Sequence, residues 1–455
     1  MRRNHMPDNM FWFMTIIFSL TIIVMLWRPF GINETIPTSI GAAIVLLIGI
    51  VPFSDVFTIV DIVSGAALTI LSTIMMSIVL ESIGFFRVVA VNIVNRSRGS
   101  GVRLYIYVML LCFMMTMFFN NDGSILITTP IIIHMTSLLK LKNHQKIPYL
   151  LSGALIATAA SAPIAVSNIS NLIALKIVGL TLQDYVQMMF VPSMVAILFI
   201  AYLLYLYFRK SIPKKILDVS INWKKDAQAY SYSHPLSSTE QKKEIDFTLI
   251  KYCLLIVVLT RAAFFALTPF GIPLEIIGMV GAAILIVLRY TRTRMGVMDI
   301  IRKTPWHVLL FAFNMYVLVY GLKNVGLSDF IVEQFRDHIV GQPFNASMMM
   351  GIFLTVISNL FNNLPAVMIG TLSITEMGLD PHILQIAYLA NVMGSDIGAL
   401  LTPVGTLATL IWMFILKTHG INISWSRYLR VTIFIVPISL LIGLYSLYLW
   451  IEWLF

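Results

Sequence analysis

Long apolar runs follow one another along almost the whole chain, and two Asn-Asn pairs interrupt them in the same way, 242 positions apart. The first interruption reads Phe119-Asn120-Asn121-Asp122-Gly123 and the second Phe361-Asn362-Asn363-Leu364-Pro365. Each is followed by a further polar break, Ser167-Asn168-Ile169-Ser170-Asn171 in one half and Thr402-Pro403-Val404-Gly405-Thr406 in the other. Lipid offers no hydrogen bonds to a backbone. A chain of this kind is therefore confined to helices, and unwound backbone survives only where protein or a hydrated cavity covers it. Two halves with the same pair of breaks mark a repeat-built secondary transporter, with its site where broken helices meet near mid-membrane.

Composition agrees. Of the 455 residues, 58% are hydrophobic and 11% charged, against about 25% charged in a soluble domain. The net charge of +10 lies in the short gaps between apolar runs, where basic residues set orientation. It does not indicate nucleic acid. The first apolar run ends in Trp27-Arg28-Pro29 without a small-residue cleavage site, so no cleavable leader is expected. Cys112 and Cys253 are the only cysteines. They exclude a disulfide framework and a thiolate metal cluster.

The first half, residues 1–208, predicts crossings near 11–27, 38–53 and 62–85, and an amphipathic stretch over 86–101. A re-entrant hairpin over 104–118 and 125–139 follows, then a helix over 147–180 interrupted at Ser167–Asn171, and a crossing at 185–208. Neither hairpin arm comfortably spans a core of about 30 Å at about 1.5 Å per residue. Residues 209–247 are polar, with eight Lys/Arg against five Asp/Glu, and read as a cytoplasmic linker. The second half, 248–455, repeats the order: crossings at 248–269, 272–289 and 305–323, an amphipathic stretch at 327–345, a hairpin at 346–374, a broken helix at 382–416 and a last crossing at 430–453. The fold class is an all-α polytopic membrane protein. It has two inverted repeats, each with about five transmembrane helices and one re-entrant hairpin. Five spans per half is an odd number, so the second repeat is inverted. Arg96, Arg98, Arg103, Lys140, Lys142 and Lys146 put the base of the first hairpin inside, and the acidic segment Glu376–Asp380 lies outside. This puts both termini outside, against the preference of Arg2 and Arg3.

Asp122 and Asp396 stand out chemically. An ionised Asp at mid-membrane costs about 2.5–3.5 kcal/mol on insertion scales, so each is protonated, paired or hydrated. They are the candidate proton-coupling residues. A purely structural role would be capping of a broken helix by the carboxylate. Asn120, Asn121, Ser167, Asn168, Asn171, Asn362, Asn363, Thr402 and Thr406 are the candidate substrate-binding residues. Their bland role is to satisfy the broken backbone, and both roles are compatible. Gly123, Gly394, Gly398 and Gly405 suit close backbone approach. Lys251 and Lys323 are expected to reach the interface. His134 and His307 stand alone and make no metal site. A passive channel would need a water-lined pore. An intramembrane aspartyl protease would need two carboxylates sharing a proton, and would leave the paired Asn breaks without a role. No Gly-x-x-x-x-Gly-Lys-Ser/Thr loop is present to bind a nucleotide.

The segments Leu80–Arg87, Phe119–Pro130, Val166–Asn171, Met315–Leu322, Asn362–Gly370 and Gly394–Leu410 resemble those of the arsenical pump membrane protein family, the arsenite/antimonite efflux carriers of the ion-transporter superfamily. The spacing agrees over nearly the whole chain. The resemblance implies a multi-pass protein of the prokaryotic cytoplasmic membrane. It would export neutral arsenous or antimonous acid in exchange for protons, without a cofactor, and confer arsenic resistance. An arsenite-stimulated ATPase subunit is a partner that the resemblance leaves open. The alternative is a sodium/proton antiporter or another ion carrier of the same superfamily. Ser395 stands before Asp396 where the family tends to carry a Cys, so thiol capture of arsenic has no residue there. Few Lys or Arg lie near the breaks in sequence, Lys176 being closest, which disfavours a dianionic substrate.

Overall fold

The computed structural model describes residues 8–29, 32–217 and 245–455. The N-terminal Arg2 and Arg3, and residues 218–244 of the expected linker, lie outside these. Ten helices among the described residues are long and apolar enough to cross a membrane. No strand forms there beyond an isolated bridge between Ser100 and Lys215.

In the first half, α1 (Asp8–Trp27), α2 (Thr35–Ile48) and α3 (Phe53–Ser82) precede the short α4 (Phe85–Ser97). The hairpin follows as α5 (Gly101–Phe118) and α6 (Asn121–Leu138). The broken helix is α7 (Asn143–Ala159) plus α8 (Ile169–Val178), and α9 (Leu182–Phe208) closes the half. The second half runs through α10 (Phe247–Leu267), α11 (Leu274–Thr293), a short α12 (Met298–Lys303), α13 (His307–Asn324) and α14 (Leu327–Ile339). Its hairpin is α15 (Pro343–Phe361) and α16 (Asn363–Glu376), its broken helix α17 (Pro381–Asp396) and α18 (Leu407–Thr418), and its last helix α19 (Trp425–Leu454).

Several expected bounds move. The crossing placed at 62–85 begins at Phe53, because Pro52 in extended conformation starts α3. The crossing at 38–53 is the 14-residue α2, stopped by Gly49 at φ 80°. Both arms of the first hairpin have 18 residues, about 27 Å of helix, so they are longer than the apolar runs suggested. The Asn-Asn-Asp-Gly tip is hardly a loop. α5 ends at Phe118 and α6 begins at Asn121, with Asn120 as N-cap accepting from the Gly123 amide at 2.6 Å. The first break covers Ala160–Asn168, earlier than Ser167–Asn171, and leaves Asn171 inside the first turn of α8.

The two halves have the same neighbours. α5 lies against α7 as α15 lies against α17, and α6 against α7 as α16 against α17. Contacts between halves are reciprocal. α3 packs on α11 as α13 packs on α2, α8 packs on α16 as α18 packs on α6, and α9 lies along α19. This is the pattern of two repeats related by a pseudo-twofold axis. The short second pieces of the broken helices thus find their partners in the opposite half.

Candidate functional site

α17 ends at Asp396, and the chain then passes through two short 3-10 turns, Gly398–Leu401 and Pro403–Gly405, before α18. The carboxylate of Asp396 is fully buried. It receives three hydrogen bonds, all from the first half. Asn168 Nδ2 donates to Oδ1 at 2.8 Å, and Ser161 Oγ and Asn171 Nδ2 donate to Oδ2 at 2.9 and 2.7 Å. No basic side chain forms an ion pair with it among the described residues. The expected alternative, a carboxylate capping its own broken helix, is not what forms, because the donors are side chains of the other break.

Two of the predicted solute ligands, Asn168 and Asn171, thus hold Asp396 through their Nδ2 groups. Asn168 also caps α8, its Oδ1 accepting from the Ser170 amide and hydroxyl. Asn171 keeps its Oδ1 buried and without a partner, while Tyr388 donates to its carbonyl at 3.3 Å. Tyr185, whose ring lies 6.2 Å from that of Tyr388, donates to the carbonyl of Ala162 inside the break.

The second hairpin tip joins the second break. Asn362 Nδ2 donates to the carbonyl of Val404 at 3.2 Å and its Oδ1 accepts from the Leu364 amide. Asn362 itself adopts φ 81° and ψ 154°, a region that a residue with a side chain seldom occupies. Asn359 fastens the same break, accepting from the Thr402 amide at 2.7 Å and donating to the carbonyl of Gly398 at 2.9 Å. Thr406 caps α18 by accepting from the Thr409 amide. Close approach at the glycines is real: a Cβ on Gly394 would overlap the Gly351 carbonyl, and one on Gly405 the Ala399 carbonyl.

At the first tip, Asn120 Nδ2 donates to Thr73 Oγ1 of α3 at 3.1 Å, and Asn121 Oδ1 accepts from the Asp122 amide. Asp122 makes no side-chain hydrogen bond among the described residues. It stands in the first turn of α6. A cation also sits here. Arg261, in the second half of α10 and 8% exposed, donates from Nε to the Phe118 carbonyl at 2.7 Å and from Nη2 to the Phe119 carbonyl. Few basic residues were expected near the breaks by sequence, Lys176 being closest, and the fold adds Arg261 at the first tip. Arg261 is 142 positions from Phe119, and only the packing of α10 beside α5 reveals it. The second tip has an apolar contact instead, with the rings of Phe18 and Phe361 5.5 Å apart, edge to face.

Buried polar atoms left without a protein partner are the ones free to meet a solute. They include Ser167 Oγ, Thr402 Oγ1 and Asn171 Oδ1. The amide of Asn363 also makes no hydrogen bond among the described residues. No group of three or more His, Cys, Asp or Glu side chains could hold a metal there.

The profile described as "Arsenical pump membrane protein" matches residues 13–451. The chain belongs to the arsenical pump membrane protein family. It is 48% identical to a putative arsenical pump membrane protein of Bacillus subtilis, over 96% of this chain and 99% of that one. It is 31% identical to the arsenical pump membrane protein of Escherichia coli K12, over 91% and 93%. The crystal structure of the Alcanivorax borkumensis YdaH transporter superposes with TM-score 0.53 at 13% identity, covering 87% of this chain and 88% of that one. At that identity the likeness shows the fold alone. As a member of this family the chain is a multi-pass transporter of the bacterial cell membrane.

In this arsenical pump family member the structure gathers Asn168, Asn171 and Asp396 into one cluster, and Asn362 and Thr402 into another around Asn359. Asn120, Asn121 and Asp122 stay at the first tip beside Arg261. Ser161, Asn359 and Arg261 were missed. Ser161 lies six residues before the recognised Ser167 in an Ala-Ser-Ala-Pro string, and Pro163 was the available signal that the helix had already ended. Asn359 precedes the tip by three residues and looked like part of the arm. Two charges also changed role. Lys323 pairs with Glu376 at 3.1 Å rather than reaching for the interface alone, and His307 faces Glu34 at 3.7 Å.

Proposed function

We propose that this protein exports trivalent arsenic and antimony as their neutral trihydroxides in exchange for protons, with Asp396 as the coupling carboxylate. One observation carries the reading: a fully buried carboxylate of one half is held only by neutral donors of the other half. As a carboxylate, Asp396 accepts from all three. Once protonated it is a donor as well, so at least one of the three donors has to turn or withdraw. Proton arrival therefore rearranges a contact between the halves, which is where an alternating-access carrier has to move.

The solute chemistry fits the spare groups. An uncharged trihydroxide both donates and accepts at each oxygen, and so do the hydroxyls of Ser167 and Thr402 and the amide of Asn363. Hydrogen bonds rather than thiolates are expected to hold it. Cys112 is buried against Gly153 of α7 and Cys253 is buried on α10, so neither supports a thiolate site. Energetically, one proton moving down about 100 mV releases about 2.3 kcal/mol. A tenfold gradient costs about 1.4 kcal/mol, so one proton sustains roughly a fiftyfold gradient of neutral solute.

Everted vesicles test this. Wild-type vesicles with an acid interior are expected to accumulate arsenite and to lose it when the pH gradient is collapsed. Asp396→Asn keeps the size but cannot carry the proton, and it puts a donating amide where one accepting oxygen stood, so uphill accumulation is expected to fall to background. If Asp396→Asn accumulates arsenite with the same pH dependence, the proposal fails. Accumulation driven by a sodium gradient instead would replace the proton in the same scheme.

A further inference from the structure

A groove of about 520 Å³ runs along the outer side of the first hairpin, between α4, α5 and α10. Its two ends differ in chemistry. One end carries Asn92, Arg96 and Tyr107, and the other is closed by Phe85, Phe118 and Phe119. The packing of α4 against α5 fixes this polarity: the rings of Phe86 and Phe119 lie 6.5 Å apart at the closed end, while the chain turns from α4 into α5 beside Arg96. From Tyr107 to Phe118 is eleven residues of one helix, about 16 Å. The walls between are aliphatic, and Leu110 and Met114 are 52% and 44% exposed although they line a concave surface.

We propose that this groove holds one acyl chain of an anionic phospholipid, with its headgroup at Arg96. The chain of reasoning is charge and shape together. No lining residue is acidic, and exposed Arg98 and Arg103 stand next to Arg96 at the same end. Basic residues at a membrane surface attract anionic headgroups, and a groove open to the bilayer fills with the hydrocarbon beside it. Asn92 and Tyr107 add neutral hydrogen-bonding groups for phosphate or glycerol oxygens. A zwitterionic lipid satisfies the walls but not the rim. The deep end of the groove matters because Phe118 and Phe119 are the residues whose carbonyls Arg261 holds. An acyl chain seated there buttresses the first hairpin tip from the lipid side.

The test is binding, and it does not depend on the transported solute. The full-length protein is purified in detergent with a mixture of phosphatidylglycerol and phosphatidylcholine and examined by native mass spectrometry. Wild type is expected to retain one phosphatidylglycerol at collision energies that strip phosphatidylcholine. Met114→Trp, which fills the groove, is expected to lose that retention, whereas Ile438→Trp, on an exposed face of α19, keeps it. Arg96→Gln is expected to narrow the preference for the anionic lipid about fivefold, the worth of one basic residue at a membrane surface. Equal retention of the two lipids by wild type overturns the proposal without any variant. Unchanged retention in a Met114→Trp protein that melts like wild type overturns the location.

Discussion

The hydroxyl of Ser161 has one proton and two acceptors within reach, the carbonyl of Thr158 at 2.7 Å and Asp396 Oδ2 at 2.9 Å. With Asp396 ionised, the proton points at the carboxylate. With Asp396 protonated, Ser161 can turn its proton to Thr158 and accept from Oδ2 instead. A serine here is thus a two-position donor that follows the charge of its neighbour. Ser161→Ala is expected to slow pH-driven transport about tenfold or more, since a hydrogen bond to a charged group contributes about 1.5–3 kcal/mol. Ser161→Thr, which keeps the hydroxyl, is expected to restore most of the rate. Equal initial rates for Ala and wild type in everted vesicles would remove Ser161 from the coupling step. Arg261 acts at the same scale but on structure. Arg261→Met leaves the buried Phe119 carbonyl and the part-buried Phe118 carbonyl without this donor, the buried one costing about 1–3 kcal/mol, and a lower melting temperature in detergent is expected, with Arg261→Lys intermediate. The cysteines supply the contrast. Cys112→Ala with Cys253→Ala is expected to keep full arsenite resistance, and its loss in a protein that still reaches the membrane would reinstate a sulfur ligand.

At the scale of elements, the broken helices depend on backbone approaching backbone. α15 and α17 touch where Gly351 and Gly394 leave no side chain between them. Gly394→Val is expected to push them apart, at about 1–3 kcal/mol for overpacking, and to lower thermal stability. Gly296→Ala, with open space around it, is expected to change nothing. These elements were legible in the sequence to different degrees. The order of crossings, hairpins and breaks is written in apolar length and in Asn, Pro and Gly, because lipid permits few alternatives. The edges were less legible. Ala160 to Ala165 is apolar enough to read as helix, so the first break was placed too late. The partners of each polar group were not legible. Asn168 and Asp396 are 228 positions apart, and no local pattern says that an amide in one break will hold the carboxylate beside the other. Arg261 is hidden for the same reason, since its meaning comes from the helix that packs next to it.

For the molecule as a whole, two equivalent halves with an odd number of spans each are expected to lie oppositely in the membrane, which the basic and acidic loops also favour. In a protein without its native cysteines, Lys142→Cys is expected to react with an impermeant maleimide only in everted vesicles, and Gly378→Cys only in intact cells. Labelling of both from one side would remove the inversion.

The reciprocal packing of α8 on α16 and of α6 on α18 bears on how such a protein is made. When the ribosome has delivered the first half, α6 and α8 are in the membrane without the helices of the second half that pack on them. Assembly therefore waits for the second half, and the early product is exposed to quality-control proteases for that interval. Each half produced alone is expected to be degraded, and the two produced together as separate polypeptides to rescue one another, because what joins them is the crossing of their helices and not the peptide between them.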